Sequence, residues 1–217
     1  MMKEEEEKMM MLEQKTTDFL QQLSSAAPFP GGGGASAAVG AFAAALGLMV
    51  ANLTVGKKRY ADAEEEIIRV RERLYGLQQD LVRLADADAE AFEPLAEAYR
   101  LPKETPEERA EKERVMEGAL VGASRTPLAI MEKILESMEL LEVLCEKGSR
   151  LAQSDVGAGI LFAQAALEGA SLNVLINTKM MKDREAADEM KNHALELIQT
   201  GRAKKDSIYE RVLSGIS

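Results

Sequence analysis

Residues able to carry acid and base chemistry are few in this chain and far apart. Asp88 follows Leu74, Leu77, Leu81 and Leu84 at three- and four-residue steps, a spacing that puts all five on one helix face. A carboxylate that continues an apolar stripe must find a partner or shift its proton affinity, because burying a bare charge costs on the order of several kcal/mol. The alternatives are a structural acid with a satisfied partner, or a kink that turns it outward. Asp155 stands behind Ser154 at the head of a nearly uncharged segment, where the first reading of either residue is a helix N-cap. Asn173 and Asn177 lie one turn apart further along that segment, and Asn52 lies near the end of another. Amides inside apolar helices need partners, in each other, in the backbone or in a ligand. The single histidine, His193, and the single cysteine, Cys145, make no metal-binding pattern. No Ser-His-Asp or Cys-His grouping is present, so the expected metal content is none and proton transfer falls to Asp, Glu, Lys or Tyr.

Helix geometry limits how these groups combine. Asp155 and Asn173 are separated by eighteen positions, about 27 Å along one helix, so they cannot share one small reaction centre within a subunit. Asn52 lies about equally far from the glycines at 31 to 34. If the two apolar segments run antiparallel, Lys57 comes near Asp155 and the glycines come near Asn173 and Asn177. The result is a long groove with two polar ends.

The elements that must position them are helices. The chain has 217 residues, only 4% of them aromatic and none tryptophan, and Ala, Leu, Glu and Met dominate, all helix formers with little strand preference. The spacing predicts six or seven helices: a short one in "TTDFLQQLSS", one from about Ala35 to Thr54, one from near Asp62 to the residues before "LPKETP", one opening at Pro106, another begun or bent at Pro127 and stopping at Gly148, one capped by Ser154 or Asp155, and a last one from Asp183 to about Leu213. Long helices on short connections predict an all-α, up-and-down bundle with two buried Ala/Gly-rich core helices. Residues 1–15 read as a charged helical arm and 16–217 as one domain. A formal charge of -10 works against nucleic acid and anionic membranes as partners. A lone cysteine and no leader pattern predict a cytoplasmic location. The low-charge segments are rich in small residues or carry Gln164, Glu168 and Asn173, which suits the centre of a bundle better than a lipid bilayer.

"PFPGGGGASAAVGAFAAALGLMVANLTVGKKRY" also contains a loose glycine spelling for phosphate binding. No strand precedes it and no Lys-Ser or Lys-Thr pair follows, so a nucleotide site is not expected. What the glycines do offer is backbone that a ligand or a neighbouring helix can approach closely.

That stretch, together with "DADAEAF", "ALVGASRTPLAI" and "SDVGAGILFAQAALEGASLNVLIN", resembles the cyclodeaminase/cyclohydrolase family, the domain attached to formiminotransferase in bifunctional folate enzymes and found alone in many bacteria. The likeness spans nearly all residues after the N-terminal arm. It implies an all-helical homodimer acting on the one-carbon unit of tetrahydrofolate, with no cofactor beyond that substrate. Two reactions are implied: closure of the formimino group to methenyl with loss of ammonia, narrowly favoured, or addition of water to methenyl to give 10-formyl. Family positions fall on Gly31, Gly32, Gly33, Asn52, Lys57, Tyr60, Asp88, Ser154, Asp155, Asn173 and Asn177. Gly34 departs from the pattern, where small or polar residues are commoner. On this reading Asp155 or Asp88 is the base and cation partner, and Lys57 a proton donor or carboxylate anchor. Asn173 and Asn177 contact the pterin or an amide. The likeness does not extend to the transferase domain, so formimino transfer is not implied. The rival class is a non-enzymatic helical scaffold or folate-binding dimer in which these polar groups only fix helix register.

Overall fold

In the computed structural model, which describes residues 10–217, every regular element is a helix. In chain order these are α1 (Thr16–Leu23), α2 (Gly32–Thr54), α3 (Glu64–Arg100), α4 (Pro106–Lys147), α5 (Gln153–Met180) and α6 (Arg184–Ile216), with 3-10 turns at Lys58–Ala63 and Arg150–Ala152. From α2 onward each long helix packs on the next, and α2 lies also against α5 and α4. The expected charged arm falls largely outside the described residues. Its described end, from Met10, is a turn rather than a helix, and the Met11 N–H donates to the Asp86 carboxylate at 3.0 Å, tying it to α3.

The three-four stripe of α3 is the core seam that the spacing predicts: Ile67, Leu74, Leu77 and Leu81 are fully buried. Ile67, Leu74 and Leu81 share one large cluster with Ile134, Met138, Leu141 and Leu144 of α4 and Ile160, Leu167 and Val174 of α5. A smaller cluster, Leu95, Ala98, Leu120 and Met181 with Phe92 against it, closes one end of the bundle. Both α2 and α5 are long and apolar enough to cross a membrane, and 61% and 50% of their most apolar windows are buried within the protein.

Three boundaries differ from the sequence reading. Pro127 neither starts nor ends a helix; α4 runs through it for 42 residues. It starts at a capping box, in which the Thr105 hydroxyl accepts the Glu108 N–H and the Glu108 carboxylate accepts the Thr105 N–H. Pro127 itself is buried, and packing of α4 against α3, α5 and α6 holds the chain helical across the one lost hydrogen bond. Helix α2 begins at Gly32 rather than Ala35, so three glycines are its first turn and not a loop before it. Neither Ser154 nor Asp155 is an N-cap: α5 begins at Gln153, led in by the turn Arg150–Ala152, with no side-chain cap, and both residues sit in its first turn.

Helices α2 and α5 are antiparallel neighbours. At one end a β-carbon built on Gly32 would stand 3.8 Å from the Asn173 amide nitrogen. Midway, Gly169 faces Ser36 and Gly159 faces the Ala43 carbonyl. At the other end the Ser149 N–H donates to the Thr54 hydroxyl at 2.8 Å. The antiparallel pairing therefore sets the start of α2 beside the end of α5, and the end of α2 beside the start of α5, and the two ends are different in kind.

Candidate active site

The first end is a cavity of about 320 Å³ between the start of α2, the second half of α3 and the end of α5. Gly31, Gly32 and Gly33 line it with Asp88, Asn173 and Asn177. Asp88 is half-buried, and burial pushes its carboxyl above the ordinary value of 3.8 while the Gly34 N–H donated to it pulls the other way. The second helical glycine is required here: a β-carbon on Gly33 would overlap all three atoms of the Asp88 carboxyl group. The carboxylate thus caps the first turn of α2 from α3, a favourable place for an anion beside helix N–H groups, and this contact lets the helix start three residues early. Asn177 is buried, and its amide nitrogen donates to the Ala123 carbonyl of α4 at 3.0 Å. Asn173 is partly exposed, one turn closer to the glycines.

At the second end stand Lys57 and Tyr60, just after α2, and Ser154 and Asp155, in the first turn of α5. The Tyr60 hydroxyl accepts the Arg150 N–H at 3.0 Å, and that bond holds the phenol below its ordinary value of 10.0. It locks the turn after α2 onto the turn before α5. Lys57 and Ser154 are exposed and Asp155 is half-buried. Asn52 joins neither end: it is exposed and lines a shallow surface hollow with Arg71, Glu72 and Tyr75. His193 is exposed too, with its Nε2 2.9 Å from a Glu132 oxygen. One chain therefore brings together Asp88, the glycines, Asn173 and Asn177, while Lys57, Tyr60, Ser154 and Asp155 lie toward the other ends of α2 and α5.

Sequence reasoning missed the cavity's rings and apolar floor. Phe29, Phe92 and Tyr99 line it with Ile176 and Met180, and the Tyr99 hydroxyl lies 3.4 Å from the Met180 sulfur. A signal was present in the spacing, since Phe92 is one turn beyond Asp88 on the same helix, and Ile176 and Met180 follow Asn173 at helical steps of three and seven. A second cavity, of about 360 Å³ under α1, is walled by Phe19, Leu20, Phe42 and Val82 with two glutamines and a threonine. Among the described residues that line it, none is Asp, Glu, Lys, Arg, His, Cys or Tyr.

The chain is thus an all-helical bundle with a half-buried carboxylate held against a glycine helix start, among rings and amides, in a cavity of ligand size. The family model for formiminotransferase-cyclodeaminase matches residues 15–196, and the chain belongs to that family. A methenyltetrahydrofolate cyclohydrolase of Methylorubrum extorquens is 41% identical over 181 residues, covering 83% of this chain and 87% of the relative. A formimidoyltransferase-cyclodeaminase of Gallus gallus is 31% identical over 75% of this chain, which spans only 30% of that larger protein. The crystal structure of a formiminotetrahydrofolate cyclodeaminase from Thermotoga maritima superposes with a TM-score of 0.78 at 31% identity, covering 93% of this chain and 95% of its own.

Proposed function

We propose that this chain is an enzyme acting on the one-carbon unit of tetrahydrofolate, with the reaction centred on Asp88. The observation that carries the reading is the Asp88 carboxyl, fixed against Gly33 and Gly34 in a cavity of ligand size, in a chain alike along its length to enzymes named for this chemistry.

In the deaminative reaction, nitrogen 10 of 5-formiminotetrahydrofolate attacks the amidine carbon on nitrogen 5 and a new carbon–nitrogen bond forms. Asp88 accepts the proton that nitrogen 10 sheds, the bond to the amino group breaks, and that group leaves as ammonia with a returned proton. The product is the 5,10-methenyl cation. In the hydrolytic reaction, water adds to that cation's central carbon and gives its proton to Asp88. The hydroxyl on that carbon then gives its proton to solvent as the carbonyl forms and the bond to nitrogen 5 breaks, nitrogen 5 takes the proton held by Asp88, and 10-formyltetrahydrofolate results. Both pass through one tetrahedral carbon beside one carboxylate. The hydrolytic reading is favoured by the 41% identity to a stand-alone cyclohydrolase over most of its length, the deaminative one by the match to a stand-alone cyclodeaminase structure. The chain should be offered 5-formimino- and 5,10-methenyltetrahydrofolate separately, with ammonia release and loss of methenyl absorbance compared with uncatalysed controls. Acceleration of neither, where binding is demonstrated, leaves only the folate-binding reading.

The dimer belongs to the same proposal. Phe42, Met49 and Leu53 of α2 and Leu161, Phe162, Leu172 and Ile176 of α5 are exposed. Two copies pairing through this face, on a twofold axis across the helices, bring the Asp155 end of one against the Asp88 end of the other. Asp155 and Lys57 of the partner subunit then supply the second proton carrier that one chain alone lacks. Asp155→Asn and Lys57→Met are therefore expected to lower kcat/KM without lowering the melting temperature. Mixing inactive Asp88→Asn with inactive Asp155→Asn protein is expected to restore roughly a quarter of wild-type activity, since half of the dimers are mixed and each holds one intact site. Light scattering that shows a strict monomer with full activity, or mixing that restores nothing, contradicts this arrangement. By the same reading the substrate needs no metal or second cofactor, and the site of action is the cytoplasm.

A further inference from the structure

Among the described residues that line the Asp88 cavity, none is lysine, arginine or histidine, and Asp88 is the one carboxylate. Besides the glycines and the neutral amides Asn173 and Asn177, the wall is aromatic or apolar, with Phe29, Phe92, Tyr99 and Met180 among its residues. Tyr99 is 49% exposed, and Lys112 of α4 donates to its backbone carbonyl at 2.7 Å, fixing the helix end that carries the ring. Ring faces present negative potential and attract cations, most strongly flat delocalised ones that also stack. A ligand without positive charge at that point keeps at most a hydrogen bond to the carboxylate and lacks the attraction between opposite charges.

We propose that Phe92 and Tyr99 are specificity-determining residues that, with Asp88, select the positively charged state of the one-carbon unit over neutral folates. The inference rests on the tetrahydrofolate reading above and deepens it. Amidinium and methenyl states carry a delocalised positive charge in the plane of the ligand; formyl and unsubstituted states do not. Rings beside that plane hold the charged state, and once hydrolysis has removed the charge the 10-formyl product loses both the ring attraction and the carboxylate. Charge loss on reaction thereby favours release. The Tyr99 hydroxyl plays no part, because its neighbour is the Met180 sulfur and the ring face does the work.

The test compares one charged and one neutral ligand. Stopped-flow kinetics give KM and kcat for 5,10-methenyltetrahydrofolate, and competition gives Ki for 5-formyltetrahydrofolate, in wild type, Tyr99→Ala, Tyr99→Phe and Phe92→Leu. Tyr99→Ala and Phe92→Leu are expected to raise KM for the cation by about fivefold or more, with Ki for the neutral ligand changed less than twofold. Tyr99→Phe is expected to keep wild-type values. Equal weakening of both ligands means that the rings stack on the folate irrespective of charge and overturns the proposal, as does no change in either. If Phe92→Leu fails to fold, the two Tyr99 variants decide alone. A wild-type protein that binds 5-formyltetrahydrofolate but turns over neither substrate refutes the proposed reaction, and the charge preference then stands or falls on Kd values of the two ligands.

Discussion

Gly33→Ala is expected to lower turnover by about 100-fold or more while the protein remains folded. The added methyl group would occupy the place of the Asp88 carboxyl, and since α2 and α3 are packed along their length, the side chain must swing instead of the helices. Displacing a catalytic group by an ångström or so costs about two orders of magnitude. The new alanine is at no disadvantage in a helix, where it is worth up to about 1 kcal/mol more than glycine, and Asp88 is only half-buried, so the carboxylate has solvent to move into. Thermal melting and kcat/KM on the same preparation separate the outcomes. A variant with wild-type turnover shows that the close fit of Gly33 and Asp88 is a packing contact without consequence for catalysis.

Asp88→Asn carries the second large effect. An amide keeps the shape and still accepts the Gly34 N–H, but cannot take a full proton, and loss of a general base costs about 100- to 10,000-fold. Stability moves the other way. Burial holds the Asp88 carboxyl above its ordinary value in the folded state, so between the unfolded and folded values the native protein binds more protons. The group favours the native state below the ordinary carboxylate value and loses that contribution as pH rises through the raised one. Removing it should therefore leave the melting temperature at pH 7 unchanged or higher, with the difference from wild type shrinking on acidification. Wild-type kcat/KM should rise with pH through the same raised value, and the asparagine variant should lack that limb. A large fall in the melting temperature at pH 7 makes Asp88 a structural acid.

The helical class and the α3 stripe were legible because three-four periodicity and composition are local properties of the chain. The inward turn of Asp88 was legible for the same reason. The glycine start of α2 was misread because its cap comes from α3, more than fifty residues away, and no rule for local turns contains that information. Pro127 was misread for a related reason: its cost is local, and the packing that tolerates it is not. Ser154 and Asp155 carry a cap signature, yet the turn Arg150–Ala152 already starts the helix, and a 3-10 lead-in leaves no weaker sign in the sequence. The rings Phe29, Phe92 and Tyr99 come from two segments and acquire meaning only when the α2–α3 pairing puts them around one space. The separation of Asp155 from Asn173 followed from helix rise alone, and it is what points to a second copy.

The central claim is that the one-carbon unit is handled at Asp88, and a crystal structure with 5-formyltetrahydrofolate tests it most directly. The formyl group is predicted to sit beside the Asp88 carboxyl, in the cavity walled by the glycine start of α2, Asn173 and Asn177. A folate bound under α1, or anywhere that leaves Asp88 out of contact with the one-carbon unit, contradicts the account.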